Sequence, residues 1–103
     1  MHAPPVPMRK ITSFTPPSAA SLEQLMKQLG CTSNQMAALA GVKDKNQWRK
    51  YTGANPMRSM SATTLFFMAA QLSLSPDEFE RVLDHMRNLG ADIATEALSL
   101  PSE

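Results

Sequence analysis

The sequence predicts an all-α fold, and three observations carry that expectation. Hydroxyl or acidic cap residues recur just ahead of short apolar stretches of helical period. Glycines stand where those stretches stop. No apolar–polar alternation runs long enough to make a useful strand. The 103 residues are 43% hydrophobic and 18% charged, which is ordinary globular composition for one domain and not the signature of disorder. We divide the chain into an arm over residues 1–17, a helical domain over 18–90 and a tail over 91–103 that has room for a short helix.

The arm holds five of the eight prolines, Pro4, Pro5, Pro7, Pro16 and Pro17. Proline removes backbone donors and blocks helix interiors, so the arm is expected to be disordered or extended. Its Arg9-Lys10 pair suits a DNA backbone or minor groove; an inert tail is the plainer reading. The first helix carries Leu22, Leu25, Met26 and Leu29 and stops at Gly30. Ser21 with Gln24 fits a capping box, and Ser18 after Pro16-Pro17 is an equally good start. Thr32 and Gln35 form a second box, followed by Met36, Ala37, Leu39 and Ala40 and closed by Gly41. Asp44 and Gln47 form a third, with Trp48 and Tyr51 on one face and Gly53 at the end.

After a loop over 54–60, broken by Pro56, Ser61 caps a fourth helix carrying Leu65, Phe66, Met68, Ala69 and Leu72. The clearest start is Ser75-Pro76-Asp77-Glu78: a hydroxyl cap, proline at the first helical position and acids in the positive first turn. Phe79, Val82, Leu83, Met86 and Leu89 line that fifth helix, and Gly90 ends or kinks it. Ile93, Ala97 and Leu98 are spaced for a further short helix before Pro101.

The formal charge of +1 conceals an asymmetry. Residues 1–75 hold eight Lys/Arg and two acids, net +6, whereas residues 76–103 hold two and seven, net −5. Five of the ten basic residues lie between Lys43 and Arg58. A local basic patch on a near-neutral protein suits a polyanion, although a solvated basic surface is the simple alternative. The third helix displays Lys45, Asn46, Gln47, Arg49 and Lys50 outward while Trp48 and Tyr51 anchor it inward. Those side chains are what reading a DNA major groove requires. Asn and Gln pair bidentately with adenine, Arg and Lys with guanine, and any cation neutralises phosphate. Free N–H groups at the preceding helix start, around Ser33, Asn34 and Gln35, suit a backbone phosphate. Lys43 and Arg58, in the flanking loops, are further phosphate candidates.

The run Thr32 to Val42, then Asp44 to Gly53, then Leu65 to Leu74, resembles the helix-turn-helix domains of the Cro and phage-repressor (XRE) type. Met36-Ala37 matches that family's apolar-Ala step, Gly41-Val42 its turn, and Leu72-Ser73-Leu74-Ser75 a later phrase. The likeness spans roughly residues 20–88. It implies a five-helix lambda-repressor-like domain whose recognition helix, about residues 44–52, enters the major groove. In a gapless register the family's apolar positions fall on Gln47 and Lys50, whose burial would be costly. A register one residue later puts Trp48 and Tyr51 inside and needs one extra residue in the turn, around Lys43. Ala40 is smaller than usual at its site, and the Trp48 ring is the filler expected there. In the later register Lys45, Asn46, Gln47 and Lys50 are the base-reading candidates, with Arg49 more lateral and within reach of either phosphate or base.

Phe79, Val82, Met86, Leu89 and Ile93 follow the 3-4-3-4 spacing of a helix-pairing seam. They are the candidate homodimer contact, against the alternative that they pack on the domain's own core. The expectation is thus a dimeric repressor of a phage, plasmid or other mobile-element operon, bound to double-stranded DNA with a palindromic operator. A protein-interaction module, an antitoxin or adaptor using the acidic fifth helix, is the competing reading. An enzyme is not expected, because nucleophile elbow, phosphate loop, metal box and paired catalytic carboxylates are all missing from the sequence. No cofactor, metal or small-molecule ligand is expected. Cys31 is the lone cysteine, a small buried filler by this reading; His85 is a surface residue and the methionines mostly packing. The longest apolar run is six residues, Leu65–Ala70, and the N-terminus carries no signal-like stretch, so a cytoplasmic protein is expected.

Overall fold

Five α-helices follow one another in a computed structural model that describes residues 8–54 and 57–96, with no strand among them. They are α1 (Ala19–Leu29), α2 (Ser33–Ala40), α3 (Lys45–Tyr51), α4 (Ala62–Ser73) and α5 (Pro76–Asn88). Residues 8–18 form no regular element, in keeping with a proline-rich approach to α1.

Capping chemistry sets the helix starts. Ser18 caps α1 by accepting from the Ser21 N–H at 3.0 Å. The Ser21–Gln24 box therefore does not form, and Ser21 lies inside the first turn. The two prolines before Ser18 hold the chain extended up to the cap, which favours the earlier start. Thr32 and Gln35 make the full reciprocal box on α2, at 3.2 and 2.8 Å. Asp44 supplies half of one on α3, accepting from the Gln47 N–H at 3.1 Å. Ser61 caps α4, and Ser75 with Glu78 closes a reciprocal box on α5 behind Pro76.

Helix α2 is the hub. It packs on both α3 and α4, and Met36, Ala37, Leu39 and Ala40 are buried on it. The central cluster adds Leu22, Cys31, Trp48, Met60 and Met68. Full burial of one such aliphatic side chain stabilises by about 1.5–3 kcal/mol. Ala37 and Ala40 are small and share one buried cluster with the Trp48 ring. The Gln71 Nε2 group donates to the Leu39 carbonyl at 2.9 Å, tying α4 to one of the unpaired carbonyls at the end of α2.

Gly41 ends α2 with φ +72°, and the Val42 and Gly41 N–H groups return to the Ala37 and Ala38 carbonyls at 3.0 and 3.1 Å. That paired closure is a Schellman motif, and it needs a left-handed residue at its corner. A Cβ at Gly41 would also meet Phe67 Cε2 at 2.9 Å, so that ring would have to shift.

Two sequence expectations need correcting. On α4 only Met68 is fully buried and Leu65 half-buried, while Phe66, Ala69 and Leu72 face outward. One side of α4 contacts α2, and a continuous apolar run carries no periodicity to say which side that is. Residues 91–96 are not helical, so Ile93 does not extend α5, and Ala97 and Leu98 lie outside the described residues. Gly90 at φ +106° and the closing Ala91 N–H to Met86 carbonyl bond at 3.1 Å terminate α5 first. No helix among the described residues is long and apolar enough to cross a membrane.

Candidate nucleic-acid interface

Helix α3 is held from beneath. Trp48 is completely buried, and Tyr51 packs edge-on against it at 6.3 Å between ring centroids, 74° between planes. These two rings occupy the inner face, as the later of the two registers requires. They turn Lys45, Asn46 and Arg49 into solvent, while Gln47 and Lys50 are half-buried at the margins. Lys50 stands one turn beyond Asn46 on the same face. A helix with its side chains is about 10–12 Å across, which fits a major groove roughly 12 Å wide, and seven residues give about 10 Å of length along it.

The loop after α3 brings a further cation to this surface. The Arg58 N–H donates to the Lys50 carbonyl at 2.9 Å, and the Ala54 N–H to the Arg49 carbonyl at 2.9 Å. Arg58 is thereby fixed beside the C-terminal end of α3, with its side chain exposed. Lys43 is exposed in the turn that leads into the helix. From Lys43 to Arg58 the only acid is Asp44, a half-buried cap residue, so this surface carries five cations against one carboxylate.

At the start of α2, Asn34 is exposed and Ser33 half-buried. The first-turn N–H groups of a helix have no partner within it and carry partial positive charge. Gln35 Oε1 accepts from the Thr32 N–H at 2.8 Å. It builds the helix start.

The candidate pairing residues divide. Val82, Met86 and Leu89 are 45%, 44% and 77% exposed. Phe79 is half-buried, tilted at 60° against Phe67 at 6.2 Å. Ile93 lies past the end of α5 and is not on the same helical stripe. Only Leu83 anchors α5 fully. On its opposite side Arg87 bridges Glu80 and Asp84 at 3.0 and 2.8 Å, an exposed network of small energetic weight. Phe66, one of the apolar residues of α4, is 70% exposed, an apolar surface residue that no periodic signal marked.

Cys31 is buried, and desolvation pushes its thiol above the ordinary range, which disfavours the thiolate. Among the described residues no three His, Cys, Asp or Glu side chains gather to hold a metal ion. An open cavity of about 270 Å³, lined by Ala40, Gly41, Thr63, Thr64 and Phe67, contains no charged group. Comparison with protein-family models, with curated proteins and with solved structures finds no match to this chain.

Proposed function

We propose that this protein is a sequence-specific double-stranded-DNA-binding regulator of the lambda-repressor-like helix-turn-helix type, acting as a dimeric repressor. One observation carries the reading. Trp48 and Tyr51 hold α3 against the core from inside, and α3 presents Lys45, Asn46 and Arg49 to solvent with Lys50 half-buried at the margin of that face. That face combines adenine- and guanine-pairing groups with phosphate-neutralising charge on one short helix. Asn46, Lys45, Gln47 and Lys50 read bases. Arg49, Lys43 and Arg58 hold phosphates, and Ser33 and Asn34 offer the start of α2 to another, with Gln35 holding that start in place.

The exposed stripe on α5 supplies the second half of the reading, because a palindromic operator is matched by a two-fold protein dimer. Repression follows from occupancy of a promoter, in the setting of a phage, plasmid or other mobile-element operon.

Fluorescence anisotropy with a pool of short duplexes at low salt tests the DNA half. The triple variant Lys45→Ala, Arg49→Ala, Lys50→Ala should lose at least a hundredfold in affinity while keeping its helical circular dichroism, since each lost contact is worth about 1–3 kcal/mol. Unchanged binding would overturn the assignment of α3. It would favour an interaction module, the antitoxin or adaptor alternative, in which α5 meets a protein partner and the basic face is idle.

A further inference from the structure

The loop that brings Arg58 to α3 also carries an apolar side chain with no part in the function proposed so far. Met57 is 65% exposed. Among the described residues it is the only large apolar side chain exposed between Lys43 and Arg58. A lone exposed apolar residue is ordinary on a protein surface. What distinguishes Met57 is where it is held. The Ala54 N–H donates to the Arg49 carbonyl and the Arg58 N–H to the Lys50 carbonyl, both at 2.9 Å. Three residues beyond Met57, Met60 is sunk in the core. The chain following Met57 is thus anchored twice, first to the last turn of α3 and then to the core. Met57 stands beside that end of α3, among five cations, with its side chain in solvent.

That position has a chemical counterpart in a DNA major groove. The base edges there present hydrogen-bonding groups and one apolar group, the C5 methyl of thymine. Lys45, Asn46, Gln47 and Lys50 address the hydrogen-bonding groups. Methionine is unbranched, with three rotatable bonds and a polarisable thioether, which suits it to pack on a small apolar target. We propose that Met57 is a specificity-determining residue that packs on a thymine methyl, in a base pair on the far side of Lys50 from Asn46. This rests on the reading of α3 given above and adds a base to it: the polar residues of α3 select adenine and guanine, and Met57 selects thymine.

The lengths involved give such a contact a purpose. One helical turn, about 5.4 Å, separates Asn46 from Lys50, and base pairs stack about 3.4 Å apart. Those two side chains therefore span one to two base pairs. A helix as short as α3 reads few bases by itself. The anchored loop lengthens the half-site past its end. Deoxyribose offers a competing apolar surface at the same edge of the groove, but contact with it carries no sequence information.

Selection from a random duplex library, run in parallel with the wild type and Met57→Ala, gives the first readout. The wild type should enrich one thymine per half-site that the variant does not, with the remaining positions unchanged. Fluorescence anisotropy then compares the enriched duplex with one carrying deoxyuridine at that thymine, which removes only the methyl. The wild type should bind the deoxyuridine duplex about fourfold more weakly, the effect of losing one buried methyl group. Met57→Ala should bind both duplexes alike. Met57→Leu should keep the discrimination and Met57→Gln lose it, both with the wild-type salt slope, since neither changes charge. The side chain is exposed, so all three variants should keep the parent's circular dichroism. A Met57→Ala protein that still enriches that thymine, or still discriminates against deoxyuridine, would overturn the assignment. So would an equal loss by Met57→Ala on both duplexes with no methyl effect in the wild type, the pattern of a deoxyribose contact. A wild type that enriches no sequence at all is a different result: it refutes the proposed function, and this inference falls with it.

Discussion

Replacing Gly41 with alanine probes the corner from which α3 departs, and the structure sets the magnitude. Its φ of +72° is left-handed, a conformation costing an L-residue about 1–2 kcal/mol. The added Cβ would also lie 2.9 Å from Phe67 Cε2 and 3.0 Å from Cδ2. Phe67 is 37% exposed, so its ring can swing outward, and the steric part belongs at the low end of the 1–3 kcal/mol typical of overpacking. Against these costs stands a gain of about 0.4–1 kcal/mol from the stiffer unfolded chain. The net expectation is a loss of about 1–2.5 kcal/mol. For a domain of this size that lowers Tm by about 4–20 °C, read by circular dichroism. A double-mutant cycle with Phe67→Ala separates the two parts: steric relief should recover about 1 kcal/mol, and the backbone cost should persist. A Gly41→Ala protein as stable as the parent would refute the closure described for α2. Strict additivity with Phe67→Ala would refute the ring contact.

Three further outcomes are expected. Trp48 Nε1 is buried with no hydrogen-bond partner among the described residues, so Trp48→Phe should cost under about 1.5 kcal/mol in urea unfolding, because the smaller ring sheds an unsatisfied donor; Trp48→Ala should cost about 3–5 kcal/mol, and equal losses would mean the indole N–H is satisfied after all. The Ser75 N–H and hydroxyl hold the Glu78 carboxyl below its usual range, so its contribution to stability is present above the unfolded value near pH 4.3 and is lost as pH falls through the lower folded value. Glu78→Gln keeps a capping side chain and should flatten that acid-side decline; an unaltered pH profile would count against the box. Asn46→Ala should cost about 1–3 kcal/mol on the preferred duplex and relax preference at one base pair, whereas Arg58→Ala should weaken all duplexes alike and lower the salt slope by about one; identical behaviour of the two would undo the division between base and phosphate contacts.

Much of this architecture was legible because helix starts are local chemistry. The Thr32–Gln35 and Ser75–Glu78 boxes each need only four residues, and both form. The inward placement of Trp48 and Tyr51 was legible too, since burying Gln47 and Lys50 instead would strand polar groups in the core. The rest needed more than a four-residue pattern. Ser18 and Ser21 both satisfy the rules for a cap, and only the extended approach through Pro16-Pro17 selects the first. The run from Leu65 to Ala70 is apolar all round, so it could not foretell that Met68 turns in and Phe66 out. Of the candidate site, the outward cations of α3 were readable from spacing. Arg58 joined them through a backbone bond to the Lys50 carbonyl, a contact with no sequence signature.

The central claim is that the outer face of α3 reads a DNA sequence, and selection of bound duplexes from a random library at physiological salt tests it most directly. An enriched inverted repeat, with half-sites about ten base pairs apart, is the predicted result. Weak, salt-sensitive retention of every sequence alike would contradict it.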